Sequence, residues 1–163
     1  MADDNLKQLV RQGLTALKAG TRVAADATQE IQGSATSPEL KQALQQGTDQ
    51  STEWAARIDR ALEEAGGPVG EDDNPILEAH HQVSQRIRQA ASDEMSRDLG
   101  IIAAGQLAIH YWIASFGTLR NYAEKLGLER TDREFRQCAE EAKQADEQHS
   151  QLAEQMLRQE EMA

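Results

Sequence analysis

Apolar residues recur every three or four positions along almost the whole chain, and this spacing is typical of amphipathic helices. In the first stretch, Leu6, Leu9, Val10 and Leu17 follow it. No stretch alternates apolar and polar residues in the way that a half-buried strand does. The sequence therefore predicts an all-α protein.

Turn and capping residues divide this pattern into five predicted helices. Ser37 with Pro38 is typical of a helix start, 66–74 forms the only long connection, and Thr131 with Glu134 matches a capping box. The predicted helices cover about 4–33, 38–65, 74–93, 98–127 and 131–159. Four long helices with a short one in the middle connection predict an antiparallel four-helix bundle with a crossover, as in ferritin-like folds.

Charge and cysteine content exclude several classes of protein. The chain has 17 Lys and Arg against 28 Asp and Glu, a net charge of −11, which disfavours nucleic acids and anionic membranes as partners. A single cysteine, Cys138, excludes an internal disulfide and a cysteine metal cage. With no secretory signal at the start, we expect one cytoplasmic domain over 1–163. The uncharged stretch 99–119 is long enough to span a bilayer, but its Gly and polar residues favour a buried helix.

Several longer motifs resemble one known family. The chain carries Ala-Thr-Ser-Pro-Glu-Leu-Lys-Gln-Ala-Leu at 35–44, Ile-Ile-Ala-Ala-Gly-Gln-Leu-Ala-Ile-His-Tyr at 101–111, Ile-Ala-Ser-Phe-Gly-Thr-Leu-Arg at 113–120 and Ala-Asp-Glu-Gln at 145–148. Together they resemble the YciE/YciF family of bacterial ferritin-like proteins over almost the whole chain. This resemblance implies a four-helix bundle, a homodimer, a stress-linked role, and a metal site of inward carboxylates and histidines.

Most of the ligand positions implied by the resemblance hold residues that are poor metal ligands. Where the family has Glu or His, this chain has Thr21, Gly47, Gln50, Ile109, Trp112 and Ala142. Only His110, Glu141 and Asp146 are retained. A di-metal site needs several anionic oxygens and imidazoles from four helices, so we expect a degenerate site and no catalysis. We also expect the bulky Trp112 to fill the room left by Gly47.

A reduced metal site is the first alternative. His149 follows Asp146 by three residues, so the two share one face of the last helix, and His110 is expected to face the interior as well. With Glu141, these groups are expected either to bind one iron, manganese or zinc ion, or to form a buried polar cluster without cofactor, which we favour. The pair Glu78 and His81 has the same spacing but lies on the predicted crossover helix, where we expect no ligand role.

A ligand cavity is the second alternative. Five glycines lie on or beside the inward stripes of the predicted helices: Gly13, Gly20, Gly47, Gly105 and Gly117. Glycine inside a helix costs about 0.5–1 kcal/mol relative to alanine, so each position calls for a packing or functional reason. Close packing of neighbouring helices is the simpler explanation for these glycines. A glycine-lined interior that carries a small apolar or aromatic ligand is the other.

Overall fold

The computed structural model describes residues 2–162, and these form five α-helices. The helices are α1 (Ala2–Gln32), α2 (Pro38–Ala65), α3 (Pro75–Ala90), α4 (Glu94–Lys125) and α5 (Glu129–Glu161). No strand occurs anywhere between residues 2 and 162. The prediction of an all-α protein is confirmed.

The helices pack in a closed order around a common interior. The α4 helix packs on α5 and α1 on α2, while further contacts join α2 to α5 and α1 to α4. The short α3 lies against α4 and α1. Within the first pair, Lys18 bridges to Asp59 at 2.9 Å and Gln32 donates to Thr48 at 3.1 Å, so α1 and α2 run in opposite directions.

Aromatic rings fill the central part of the core. Phe116 of α4 stacks on Trp112, with ring centroids 5.5 Å apart, and meets Trp54 of α2 and Phe135 of α5 edge-on. All four rings are buried, and each large side chain removed from water contributes about 1.5–3 kcal/mol. Trp112 and Phe116 are thus buried within one chain and are not exposed for contact with a second copy of it. The homodimer expectation rests on the family resemblance alone.

The start of α2 is held by a carboxylate from α4. Ser37 caps α2 by accepting from the Leu40 amide, as its position before Pro38 predicts. Asp98, which is only 1% exposed, accepts from the backbone amides of Thr36 and Ser37 and from the Thr36 hydroxyl. The predicted helix start at 98 was therefore wrong. The α4 helix begins at Glu94, and Asp98 lies one turn inside it.

The start of α5 also differs from its prediction. The helix begins at Glu129, so the predicted capping box at Thr131 lies within the first turn and makes no cap of its own. Glu64 of α2 supplies the acceptor instead, since its carboxylate accepts from the backbone amides of Arg130 and Thr131 and from the Thr131 hydroxyl. A carboxylate from a neighbouring helix has replaced the local cap.

One helix among residues 2–162, α4, is long and apolar enough to cross a membrane by length and composition, with a mean hydropathy of 1.4. Core helices of soluble proteins have the same composition. In this chain α4 packs against α5, α3 and α1 and buries Asp98, whose carboxylate serves the α1–α2 turn. Of the apolar window in this helix, 28% is buried inside the structure, so the expectation of a buried helix is met only in part.

We predict that Gly20→Ala lowers the free energy of unfolding by about 1–2 kcal/mol, because a Cβ atom there meets fixed neighbours. It would lie 2.8 Å from Asn74 Nδ2, which is held by hydrogen bonds to the Ala16 carbonyl and the Tyr111 hydroxyl. Chemical denaturation measures the change. The matched control is Gly117→Ala, where a Cβ meets nothing within 4 Å, and we expect a gain of about 0.5–1 kcal/mol. Equal effects at the two glycines would contradict the close-packing explanation.

Candidate functional site

A cavity of about 410 Å³ lies in the interior and takes lining residues from all five helices. Most of its wall is apolar, with Val23, Ile31 and Ile101 among the contributors. Five positions where the YciE/YciF resemblance implies metal ligands also line it: Gly47, Gln50, Ile109, Trp112 and Glu141. The cavity therefore lies where the resemblance implies a metal centre.

Glu141 is the only carboxylate on the cavity wall, and its oxygens are already occupied. Oε2 accepts from Arg57 Nη1 at 2.6 Å, Trp54 Nε1 at 2.9 Å and Gln50 Nε2 at 3.0 Å. Oε1 accepts from Gln137 Nε2 at 2.9 Å. Three of these donors come from α2, so the carboxylate that the family match retains is neutralised by a guanidinium from the facing helix.

The Arg57–Glu141 pair fixes the charge states around it. Burial raises the pKa of the Glu141 carboxyl, but the hydrogen bonds from Arg57 and Trp54 outweigh it and hold the pKa below its usual 4.5. Burial raises the pKa of the nearby Cys138 thiol to about 11, although its sulfur lies 3.5 Å from Arg57 Nη1. Cys138 is fully buried, as expected for a core residue, and its thiol stays protonated near neutral pH.

His149 faces the cavity from α5. The residue is 8% exposed, and its Nδ1 lies 2.8 Å from the Ala145 carbonyl oxygen one turn earlier. A carbonyl only accepts, so Nδ1 carries a proton and donates it. The other ring nitrogen, Nε2, lies on the edge that faces Gly105, where an added Cβ atom would be 3.7 Å away. Among residues 2–162, no hydrogen bond is made to Nε2.

The expectation that His110 faces the interior was wrong. Its side chain is 63% exposed, and Nε2 pairs with Asp146 Oδ2 at 3.0 Å on the outer surface of α4 and α5. Gln106 donates to the other Asp146 oxygen at 3.2 Å. Successive residues of a helix are about 100° apart, so His110 points outward because Ile109 and Trp112 line the cavity.

The four candidate ligands are thus not brought together. His110 pairs with Asp146, Glu141 binds Arg57, and His149 bonds to its own helix, so the expected buried polar cluster does not form. Throughout residues 2–162, no three His, Cys, Asp or Glu side chains are grouped in a way that could hold a metal ion. This donor set does not fit the di-metal centre that the resemblance implies.

The remaining predicted positions have structural roles. The Thr21 hydroxyl donates to the Lys18 carbonyl, and Ala142 is fully buried in the core. The expected filling of Gly47 by Trp112 was wrong, because an added Cβ at Gly47 meets nothing within 4 Å. Trp112 lies instead beside Gly20, 3.4 Å from its Cβ position, where α1 comes close.

On the short helix α3, Glu78 is exposed, and His81 Nε2 lies 3.1 Å from a Glu30 carboxylate oxygen of α1. The two residues therefore do not act together as a ligand pair.

Comparison with known proteins identifies the family. Residues 5–162 match the family model described as domain of unknown function DUF892. The chain belongs to the DUF892 family. The protein YciF of Escherichia coli K12 is 31% identical to it over 114 residues, which cover 69% of each chain. The YciE/YciF resemblance seen in the sequence motifs is confirmed.

Two solved structures share the fold of this DUF892 chain. The crystal structure of the E. coli stress protein YciF superposes with a TM-score of 0.89 at 22% identity, covering 94% of this chain and 97% of that one. YcfI from Rhodopseudomonas palustris gives a TM-score of 0.83 at 24% identity, with 89% and 92% covered. At these identities the matches establish the all-helical fold alone.

Sequence reasoning missed Arg57, the residue that decides the chemistry of the site. Its position gives a usable signal, because it directly precedes Ile58 and lies three residues after Trp54 on the apolar stripe of α2. A cation placed among buried residues requires an anion nearby. Glu141 and Asp146 were the two retained carboxylates, and Arg57 could have been assigned one of them as its partner on that ground.

We predict that Glu141→Gln lowers the free energy of unfolding at neutral pH by about 2 kcal/mol, because Arg57 loses its counter-charge in a buried setting. The Glu141 pKa in the folded protein lies below 4.5, so its contribution is present above that pH and disappears as the pH falls through the folded-state value. The difference in the free energy of unfolding between wild type and variant should therefore become smaller at acidic pH. Denaturant titrations at several pH values measure it.

The control for this experiment is Glu140→Gln, which removes an exposed carboxylate from the adjacent position of α5. We expect its effect to stay within about 0.5 kcal/mol at every pH. A Glu141→Gln difference that stays constant down to strongly acidic pH would contradict the assigned role of the Arg57–Glu141 pair.

Proposed function

We propose that this chain is a stress-associated, non-catalytic protein of the bacterial cytoplasm, built as a ferritin-like four-helix bundle with a degenerate metal site. In this interpretation α1, α2, α4 and α5 form the bundle, and α3 belongs to the crossover between α2 and α4. The observation that carries the proposal is the salt bridge of 2.6 Å between Arg57 and Glu141. A protein cation takes the place that a metal ion would need.

Coulomb repulsion supports the loss of metal binding. A divalent cation bound at Glu141 would lie close to the Arg57 guanidinium, and two like charges in a poorly hydrated interior repel strongly. The neighbouring wall residues Ile109 and Trp112 offer no ligand atom that could compensate. Binding a metal there would first require breaking a buried ion pair, at a cost of several kcal/mol.

The stress-associated role follows from the family. The E. coli relative is described as a stress protein, and this chain shares its fold and 31% of the aligned residues. Residues 2–162 contain no cluster of metal-ligating side chains that would point to an additional redox role. A role that depends on the folded bundle itself, rather than on turnover, fits both observations.

The reduced-site alternative receives less support from the geometry. His110 and Asp146 lie on the outer surface, whereas His149 faces the cavity, so the three cannot converge without rearrangement of α4 against α5. The exposed pair His110–Asp146 supplies two ligands only. A tightly bound iron, manganese or zinc ion needs more ligands than that.

Metal content tests the proposal directly. Protein purified without chelators and dialysed against Fe²⁺, Mn²⁺ or Zn²⁺ should retain far less than one ion per chain, measured by plasma mass spectrometry. The variant His110→Ala/His149→Ala serves as the control and should give the same value. Stoichiometric metal in the wild type that disappears in this variant would overturn the proposal in favour of the reduced site.

A further inference from the structure

We propose that the interior cavity binds a small neutral ligand with an apolar body and a single hydrogen-bond donor, such as an alkylphenol, and that His149 Nε2 accepts the hydrogen bond from that donor. This ligand site goes beyond the proposed function, because the loss of metal binding does not by itself imply that another ligand binds in the cavity.

The size and the wall of the cavity suit a small aromatic molecule. Its volume of about 410 Å³ lies within the 300–1,000 Å³ typical of small-molecule sites. The two indoles of the chain, Trp54 and Trp112, both line it, together with aliphatic residues such as Val23 and Ile109. Aromatic rings favour offset or edge-on contacts with other rings, so a ligand ring gains more here than an alkyl chain of equal area.

The two imidazoles of the wall, His80 and His149, leave acceptors open rather than donors. His149 has committed its Nδ1 proton to the Ala145 carbonyl, so Nε2 of the neutral ring can only accept. His80 has likewise committed its Nε2 proton to the Ala104 carbonyl at 2.7 Å. The Thr28 and Ser51 hydroxyls donate to carbonyls of their own helices. Two lining groups keep an uncommitted donor: the Ser84 hydroxyl, which accepts from Arg88, and the exposed Gln144 amide. The buried acceptor at His149 favours a ligand that brings a donor of its own.

Charged ligands are disfavoured by the same wall. An anionic ligand would face Glu141 and find no free cation, since Arg57 is already paired at 2.6 Å. A cationic ligand would meet a carboxylate whose oxygens already accept four hydrogen bonds. An ion brought into this cavity would lose its hydration without gaining a counter-charge. A neutral molecule avoids this cost.

The cavity opens between α2 and α5, beside Gly47. This glycine is exposed and also lines the cavity, and so do the glutamines Gln46, Gln144 and Gln148. Gln148 Nε2 donates to Gln46 Oε1 at 3.0 Å, a single exposed hydrogen bond across the mouth. Such a bond contributes about 1 kcal/mol, so it breaks readily and leaves a path for a small molecule.

Tryptophan fluorescence provides the test, because both indoles of the chain line the cavity. We would titrate 4-propylphenol into the full-length protein in the presence of a chelator, so that the result does not depend on metal. Saturable quenching is expected, with propylbenzene binding roughly three- to tenfold more weakly, which corresponds to the loss of one hydrogen bond. Absence of saturable quenching by 4-propylphenol would overturn the proposal.

Two leucine substitutions separate binding in the cavity from binding elsewhere. Gly47→Leu places a side chain at the mouth, and we expect it to weaken 4-propylphenol binding at least tenfold. Leucine is a better helix former than glycine, so the variant should remain folded, which thermal unfolding verifies. Gly117→Leu makes the same exchange at a helix position outside the cavity, also with nothing within 4 Å of its Cβ, and should bind as wild type does. Equal affinity in the two variants would overturn the proposed site.

His149→Leu tests the hydrogen bond itself. The variant should bind 4-propylphenol and propylbenzene with nearly equal affinity, because the preference for the hydroxyl disappears while the apolar wall remains. A change in both affinities by the same factor would show that His149 acts through packing alone, and this result would overturn its role as the acceptor. The ratio of the two affinities is therefore the decisive quantity.

Discussion

The partly buried carboxylate of Glu141 faces the interior of the helical core, and Arg57 supplies the cation that neutralises it. The salt bridge between Arg57 and Glu141 joins α2 to α5, and Trp54 and Gln50 of α2 add their own hydrogen bonds to the same oxygen. The residues of α2 that contact this carboxylate are thereby fixed in orientation. Both oxygens of Glu141 are therefore occupied by hydrogen bonds from within the protein.

The ends of the helices are fastened by the same kind of chemistry. Asp98 holds the turn between α1 and α2, and Glu64 holds the first amides of α5. Both carboxylates come from a different helix and accept backbone N–H groups that would otherwise be left without partners. With its ends secured in this way, the helical assembly tolerates loose packing in its middle, and a cavity beside Gly47 and Gly105 is compatible with a stable fold.

The sequence predicts those features that depend on local spacing. Helical periodicity, the Ser37–Pro38 start and the long connection at 66–74 are all encoded within a few residues, and they identify the all-α fold. Features that depend on contacts between distant parts of the chain cannot be predicted from local spacing. The capping box at Thr131 was chosen from a local pattern, whereas the structure uses Glu64, which lies far away in the sequence. The outward orientation of His110 was missed because the uncharged stretch 99–119 has apolar residues on most of its faces, so their spacing does not identify the inward one.

The buried position of Cys138 makes the reactivity of its thiol a measure of how often the core opens. The chain has one thiol, it lies behind Arg57 with no solvent exposure, and its protonated form is inert toward electrophiles. A thiol-specific reagent can therefore modify Cys138 only when the core opens and solvent reaches its sulfur. The rate of that modification reports the population of the opened state, because reaction requires opening first. The native sequence thus carries a single-site probe of core opening without any engineered label.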